Sequence, residues 1–475
     1  MKRCLIALSL IWLVCYLPPA MAQTPQPYDI VIRNGRVMDP ETGFDRRANV
    51  GIRGSRVEVV TDAELEGKRV IDARGKVVAP GFIDILSGGF TLEGNRYKVT
   101  DGVTTILAMH GGPVEIARWY EQQAAEGRSV NYGTTVGDAA LRHAVGIEDR
   151  NVPATRTQLD ELVALARRAI QEGALGIGFG IQYVPGASEE EVLELFRVAA
   201  ELGVPCHVHI RFLGPKPPEN DLKGIQEVIA DAAATGASAQ IVHINSVAGH
   251  SMDVALKLIA GARAHGVDVM ADAYPWEAGS TLLESAVFDP GWQERMKISY
   301  EDIELVSTGE RLTEETFKKY REDNQPTPVI AHFVPKQGNV TALRSPYVMV
   351  GSDGGIHDGR GHPRGAGTYA RILRQYVREE KHLSLMEALR KMSYMPAQRL
   401  VQAAPSMRRK GRLSAGADAD IVVFDPERVR ERATYQNPAA YSEGFDYVLV
   451  NGVVVVEAGK LLEDVRPGHP IRGSD

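Results

Sequence analysis

What most restricts the fold of this chain is a regular alternation of short apolar runs and amphipathic stretches across residues 80–400. Thr104–Met109 precedes Ala117–Gly127, Ala174–Phe179 precedes Ser188–Leu202, Pro205–Ile210 precedes Leu222–Thr235, and Gln240–Ile244 precedes Asp253–Gly266; Val267–Ala271 then leads into a loop. Runs this short and this apolar read as strands buried on both faces, and the stretches between them as helices covering those faces. The number of units favours closure, so the α/β middle is expected to be a TIM-type (β/α)8 barrel.

The ends differ in texture. Ile30–Ile32, Val50–Ile52 and Val57–Val60 are separated by the turn signals Asn34-Gly35 and Arg53-Gly54, and Ile421–Phe424, Tyr447–Val450 and Val453–Val456 follow the same style with Asn451-Gly452 between them. Such β-branched runs predict hairpins. Residues 28–79 and 405–465 are therefore expected to meet in one small β-sandwich, with the barrel of 80–400 inserted between them. Residues 288–325, with a charged stretch near Thr313–Arg321, read as a short helical insertion over the barrel.

Residues 1–22 stand apart. Lys2 and Arg3 precede an apolar run, and Ala20-Met21-Ala22 offers small residues before Gln23, the pattern of a cleaved signal for export to the periplasm or beyond. No later stretch reaches the roughly 20 apolar residues of a membrane span. Of three cysteines only Cys206 follows this segment, so no intrachain disulfide is expected in the exported chain. Lys and Arg number 54 against 61 Asp and Glu, for a net charge of −7 with no long block of either sign. Nothing here suits a nucleic-acid partner.

In a barrel of this type chemistry sits where strands end. Four such ends carry ionisable residues: His110 in Ala108–Gly112, His207, His209 and Arg211 in one alternating run, His243 after Val242, and Asp353 after Val348–Val350. Period-two alternation puts His207, His209 and Arg211 on one face. Neutral imidazoles at about 2.0–2.1 Å are the usual ligands of a catalytic zinc, which leaves one position open and lowers the pKa of water toward neutrality. A carboxylate is then needed to move the proton, which assigns Asp353 as general base and acid. Arg364 offers a planar fork for a substrate carboxylate.

Taken together, Pro80–Asp84, Asp101–Thr105, Glu172–Gly176, Tyr183–Ala187, Ser352–Gly354, His362–Gly365 and Gly416–Ile421 resemble the amidohydrolase superfamily, with the nearest likeness to D-aminoacylases and N-acyl-D-glutamate deacylases. The resemblance implies a metal-dependent barrel with a composite sandwich, acting on small N-acyl-D-amino acids. It also implies metal ligation by His209 and His243, a catalytic Asp353, carboxylate binding by Arg364, and a pocket lined by Tyr183 and Tyr274. Asn245 stands where many aminoacylases have lysine, and Arg211 is a further candidate for substrate contact.

The chain departs from the pattern at its first barrel strand, where Leu86 and Gly88 occupy the positions of a His-x-His pair. The expected cysteine or glutamate ligand after the second strand is missing, and Asp138 replaces a histidine after the third. A binuclear centre is thereby excluded. One divalent ion, zinc by ligand type, held by His110, His209 and His243 with their nitrogens within about 4 Å of one another, is the arrangement the residues allow. The alternatives are a catalytically inactive binding protein, for which the lost ligands speak, and a related cyclic-amide hydrolase.

Overall fold

The computed structural model describes residues 26–323 and 325–473, so the expected signal segment lies outside the described residues. The chain starts with five strands, β1 (Tyr28–Asp39), β2 (Phe44–Arg53), β3 (Arg56–Thr61), β4 (Gly67–Asp72) and β5 (Val77–Pro80). Asn34-Gly35 is not a hairpin turn. It is a bulge inside β1, where the register shifts between Ile32 and Gly35 and Asn34 takes φ 66°. The bulge bends the strand, so β4 runs parallel to its first half and β5 to its second. The sheet is therefore mixed, not purely antiparallel as the hairpin texture suggested. Gly35 is required here, because a Cβ would stand 2.4 Å from Val78 Cγ2.

The barrel follows. Its staves are β6 (Phe82–Asp84), β7 (Val103–Ala108), β8 and β9 (Asn131–Thr134 and Val136–Gly137, two halves of one stave), β10 (Ile177–Gly180), β11 (Cys206–His209), β12 (Ala239–Ile241), β13 (Val269–Ala273) and, after an insertion, β17 (Val348–Val350). All neighbouring pairs are parallel. Closure comes from the chain just beyond β6 meeting the chain just beyond β17: Asp353 N donates to Leu86 O at 2.6 Å and Gly88 N to Gly354 O at 3.1 Å. The helix Glu189–Leu202 illustrates the outer layer. Ser188 caps it by accepting from Glu191 N, three glutamates fill its first turn, and Gly203 ends it at φ 68°. Val192, Leu195, Phe196 and Ala199 form its buried stripe.

Between β13 and β17 the chain builds more than a helical insertion. Strands β14 (Gly279–Leu282), β15 (Ile303–Leu305) and β16 (Pro328–Ala331) form a three-stranded antiparallel sheet. Its own apolar cluster includes Phe288, Trp292, Met296 and Phe317. Pro290 and the charged segment hid three strands of only three or four residues, too short to show a period.

After β17 come the small hairpin β18 (Ile356–His357) and β19 (Arg360–Gly361), further helices, and β20 (Ile421–Phe424), β21 (Phe445–Val450), β22 (Val453–Glu457) and β23 (Lys460–Leu461). β20 pairs with β5, so both ends of the chain share a nine-stranded sheet. Asn451-Gly452, at φ 50° and 78°, makes the tight turn between β21 and β22. Beyond the sandwich, residues 467–473 cross the barrel end opposite the strand termini. Ile471 N donates to Tyr132 O at 2.7 Å, and its side chain joins Leu107, Leu175 and Met349 in the barrel interior. Among the described residues no helix is long and apolar enough to cross a membrane.

Candidate metal centre and active site

The imidazoles of His110, His209 and His243 converge at the mouth of the barrel. His209 and His243 have ring centroids 4.8 Å apart, and each lies 5.6 Å from His110. The donor set that comes together is not the three imidazoles expected within about 4 Å: donor atoms of His110, His243 and Asp353 lie within 4.8 Å of one another, with the Asp353 carboxylate in the place expected for His209. His209 adjoins this set through its ring, and Tyr183 packs edge-on against it at 4.8 Å.

Burial lowers the pKa of each imidazole, that of His209 to about 3, which keeps the rings in the neutral form that binds metals. Their orientation is fixed from behind. Ser246 Oγ donates to His243 O at 2.9 Å and also lies 2.9 Å from His243 Nδ1, which holds the ring with Nε2 toward Asp353, 3.9 Å from its Oδ2. His243 N donates to Asp272 Oδ1 at 2.7 Å. His209 Nδ1 turns to Ile210 O at 3.2 Å, and His110 Nε2 is buried without a hydrogen-bond partner. A neutral, buried, partnerless nitrogen beside two more imidazoles and a carboxylate is what a divalent cation requires.

Asp353 and His243 share an unusual backbone. Both are non-glycine residues at positive φ, 51° and 33°, a conformation tolerated only where the surroundings enforce it. For Asp353 the enforcement is visible. Ser352 N donates to Asp84 Oδ1 at 2.9 Å and Ser352 Oγ to Asp84 Oδ2 at 2.6 Å, while Lys98 Nζ reaches Asp84 at 2.9 Å and Ser352 Oγ at 2.7 Å. His243 lies beyond β12, not in it: the strand stops at Ile241, and the left-handed turn starts the short helix Ile244–Val247.

Arg364 Nη2 meets Asp353 Oδ2 at 2.8 Å, and its guanidinium lies over the Tyr274 ring, 4.6 Å from the centroid. Its Nε and Nη1 are buried and unpartnered. Burial raises the pKa of Asp353 while Arg364 opposes that rise.

Two candidates fall elsewhere. Arg211 leaves the strand face because β11 ends at His209; its Nη2 pairs with Glu227 at 2.6 Å in a separate groove behind Leu213. Asn245 is fully buried and bonds Tyr274 O at 3.0 Å and Asn339 Oδ1 at 2.8 Å, which makes it a brace rather than a substrate contact. His207, also on the strand, is buried below the site. Sequence reasoning missed Ser246, Asp272 and Lys98. Asp84 and Ser352 lay inside quoted motifs, but a buried lysine on the helix Leu92–Thr100, whose apolar pattern is weak, gave no signal.

At the first stave Leu86 and Gly88 leave no ligand, and the backbone zipper between residues 86–88 and 353–354 runs through the segment where a His-x-His pair would stand.

Fold and site define a metal-dependent amidohydrolase, acting on carbon–nitrogen bonds other than peptide bonds. The Amidohydrolase family model matches residues 341–456. N-acyl-D-glutamate deacylase of Alcaligenes xylosoxydans xylosoxydans is 30% identical over 94% of this chain and 96% of its own. The N-acyl-D-glutamate deacylase of Bordetella bronchiseptica, solved with zinc and a phosphonate inhibitor, superimposes with a TM-score of 0.84 at 28% identity, covering 94% of this chain and 100% of that one. A D-aminoacylase solved in work on one-metal activation and second-metal attenuation of its binuclear centre gives 0.82 at 28% identity with the same coverage. The chain belongs to the D-aminoacylase family of the amidohydrolases.

Proposed function

We propose that this protein deacylates N-acyl-D-amino acids with a single divalent ion, zinc by its donor set. His110, His243 and the adjoining His209 would hold it. The ion, when bound, polarises the acyl carbonyl and makes water acidic enough to lose a proton near neutral pH. The chain's own residues do the rest. Arg364 receives the substrate carboxylate on a nitrogen that the pairing of Nη2 with Asp353 leaves free, Nε and Nη1 each being without a partner. Asp353 takes the proton of the attacking water and hands it to the departing nitrogen. Tyr183 walls the site as a neutral phenol, its pKa pushed up to about 12 by burial.

The observation that carries this reading is the convergence of His110, His243 and Asp353 within 4.8 Å beside a guanidinium with two free donors. The test has two parts. Metal analysis of the purified protein should find about one zinc per chain, falling below about 0.2 in His110→Ala. Incubation with N-acetyl-D- and N-acetyl-L-amino acids should release amine only from the D series. A metal-free protein, or release from the L series alone, overturns it. We further propose export, with cleavage before Gln23, which intact-mass measurement of protein from a secreting host would read directly.

A further inference from the structure

The hairpin β18–β19 stands on the rim of the cleft. Its exposed residues His357, Asp358 and Arg360 line a cavity of about 610 Å³ together with Asp353 and Arg364. The turn is Asp358-Gly359, at φ 51° and 69°, the left-handed pair of a two-residue hairpin. Neither of its amides belongs to the ladder, which ends at the pair His357–Arg360. One carboxylate takes both: Glu93 Oε2 accepts from Asp358 N at 2.8 Å and Oε1 from Gly359 N at 2.9 Å. Among the described residues these are the only hydrogen bonds that tie the hairpin beyond Ile356 to the rest of the chain. At the root the packing is backbone against backbone, and a Cβ at Gly355 would stand 2.5 Å from Gly88 O.

Glu93 lies in the first turn of the helix Leu92–Thr100, which Thr91 caps by accepting from Gly94 N at 2.9 Å. Asn95 of the same helix donates to Gly89 O at 2.8 Å, and Lys98 donates to Ser352 Oγ at 2.7 Å. One helix therefore grips the loop of Asp353 on both sides, at Ser352 before it and at Asp358-Gly359 after it. We propose that Glu93 is a positioning residue, a latch whose carboxylate holds the hairpin on the rim of the cleft without touching the substrate. Its effect on turnover rests on the deacylase reading above; the latch itself does not. Asp353 keeps its own anchors at Leu86 O and Arg364, so freeing the tip loosens the cleft wall and spares the group that moves the proton. Binding then falls with the fraction of molecules whose hairpin is in place, and the cost appears in KM.

The test uses two variants of the full chain. Glu93→Gln keeps the size of the side chain but sets an amide nitrogen against one of the two donors; Glu93→Ala removes both acceptors. In each, hydrogen–deuterium exchange of residues 356–361 should quicken at least about tenfold, the weight of hydrogen bonds to a charged group, while residues 84–88 and 351–354 keep their protection. KM for N-acetyl-D-amino acids should rise about three- to tenfold with kcat within about twofold of the parent, and the urea midpoint should hardly move. Unchanged exchange at the hairpin overturns the latch. So does a fall in kcat and urea midpoint together, with protection lost throughout the barrel, which is the signature of a residue that only stabilises the fold. No release from any N-acyl-D-amino acid by the parent protein fails the deacylase reading instead, and the exchange measurement then decides the latch by itself.

Discussion

Asp353 is held from three directions: its amide by Leu86 O, its carboxylate by Arg364, and its preceding residue by Asp84 and Lys98. Replacing it by asparagine keeps the shape and removes the proton acceptor, so turnover should fall by about 10²–10⁴-fold with bound zinc still near one per chain, as rate and metal assays on the same sample would establish. Lys98→Met should act on stability. It leaves the Asp84 carboxylate, fully buried, without its countercharge, at a cost of about 3–5 kcal/mol in urea unfolding. His209, His243 and Asp353 were legible in the sequence because strand ends in this fold point into one mouth. Arg211 was misplaced because alternation was extended past the last residue of β11, and Asn245 because a position occupied by lysine in relatives was taken for a contact when here it is a brace.

At the scale of elements, the helices Ile116–Glu126, Glu189–Leu202, Asp221–Thr235 and Met252–Ala264 were legible to within two residues because each buries one apolar stripe, whereas Arg156–Gln171, the longest helix among the described residues, went unread despite its capping box. The insertion sheet and the bulge in β1 were not, because their form depends on partners remote in sequence: β14 finds β16 across some fifty residues. The segment 467–473 is the least legible. It has no periodicity, yet Ile471 is 2% exposed inside the barrel. Ile471→Ala should cost about 2–5 kcal/mol, measured by calorimetry, with kcat little changed since the residue lies at the far end from the metal ligands.

For the whole molecule, sandwich and barrel share one apolar core. Met38, Val77, Phe424 and Phe445 of the sandwich belong to the same cluster as Phe82, Val103 and Val208 of the barrel, and Phe82 packs edge-on to Phe445 at 6.0 Å. Residues 80–400 expressed alone should therefore lack near-ultraviolet circular dichroism and elute as aggregate, where the full chain gives a sharp single species. The division into barrel and flanks was readable from the change of texture along the chain; the merging of their cores was not, because it depends on which faces meet.

The stopper at the barrel's lower end, Ile471, lies some 120 residues beyond the last stave. All eight staves and the outer sheet can thus be strung together before anything seals the floor between them, and the interior stays open to water until that late segment swings across.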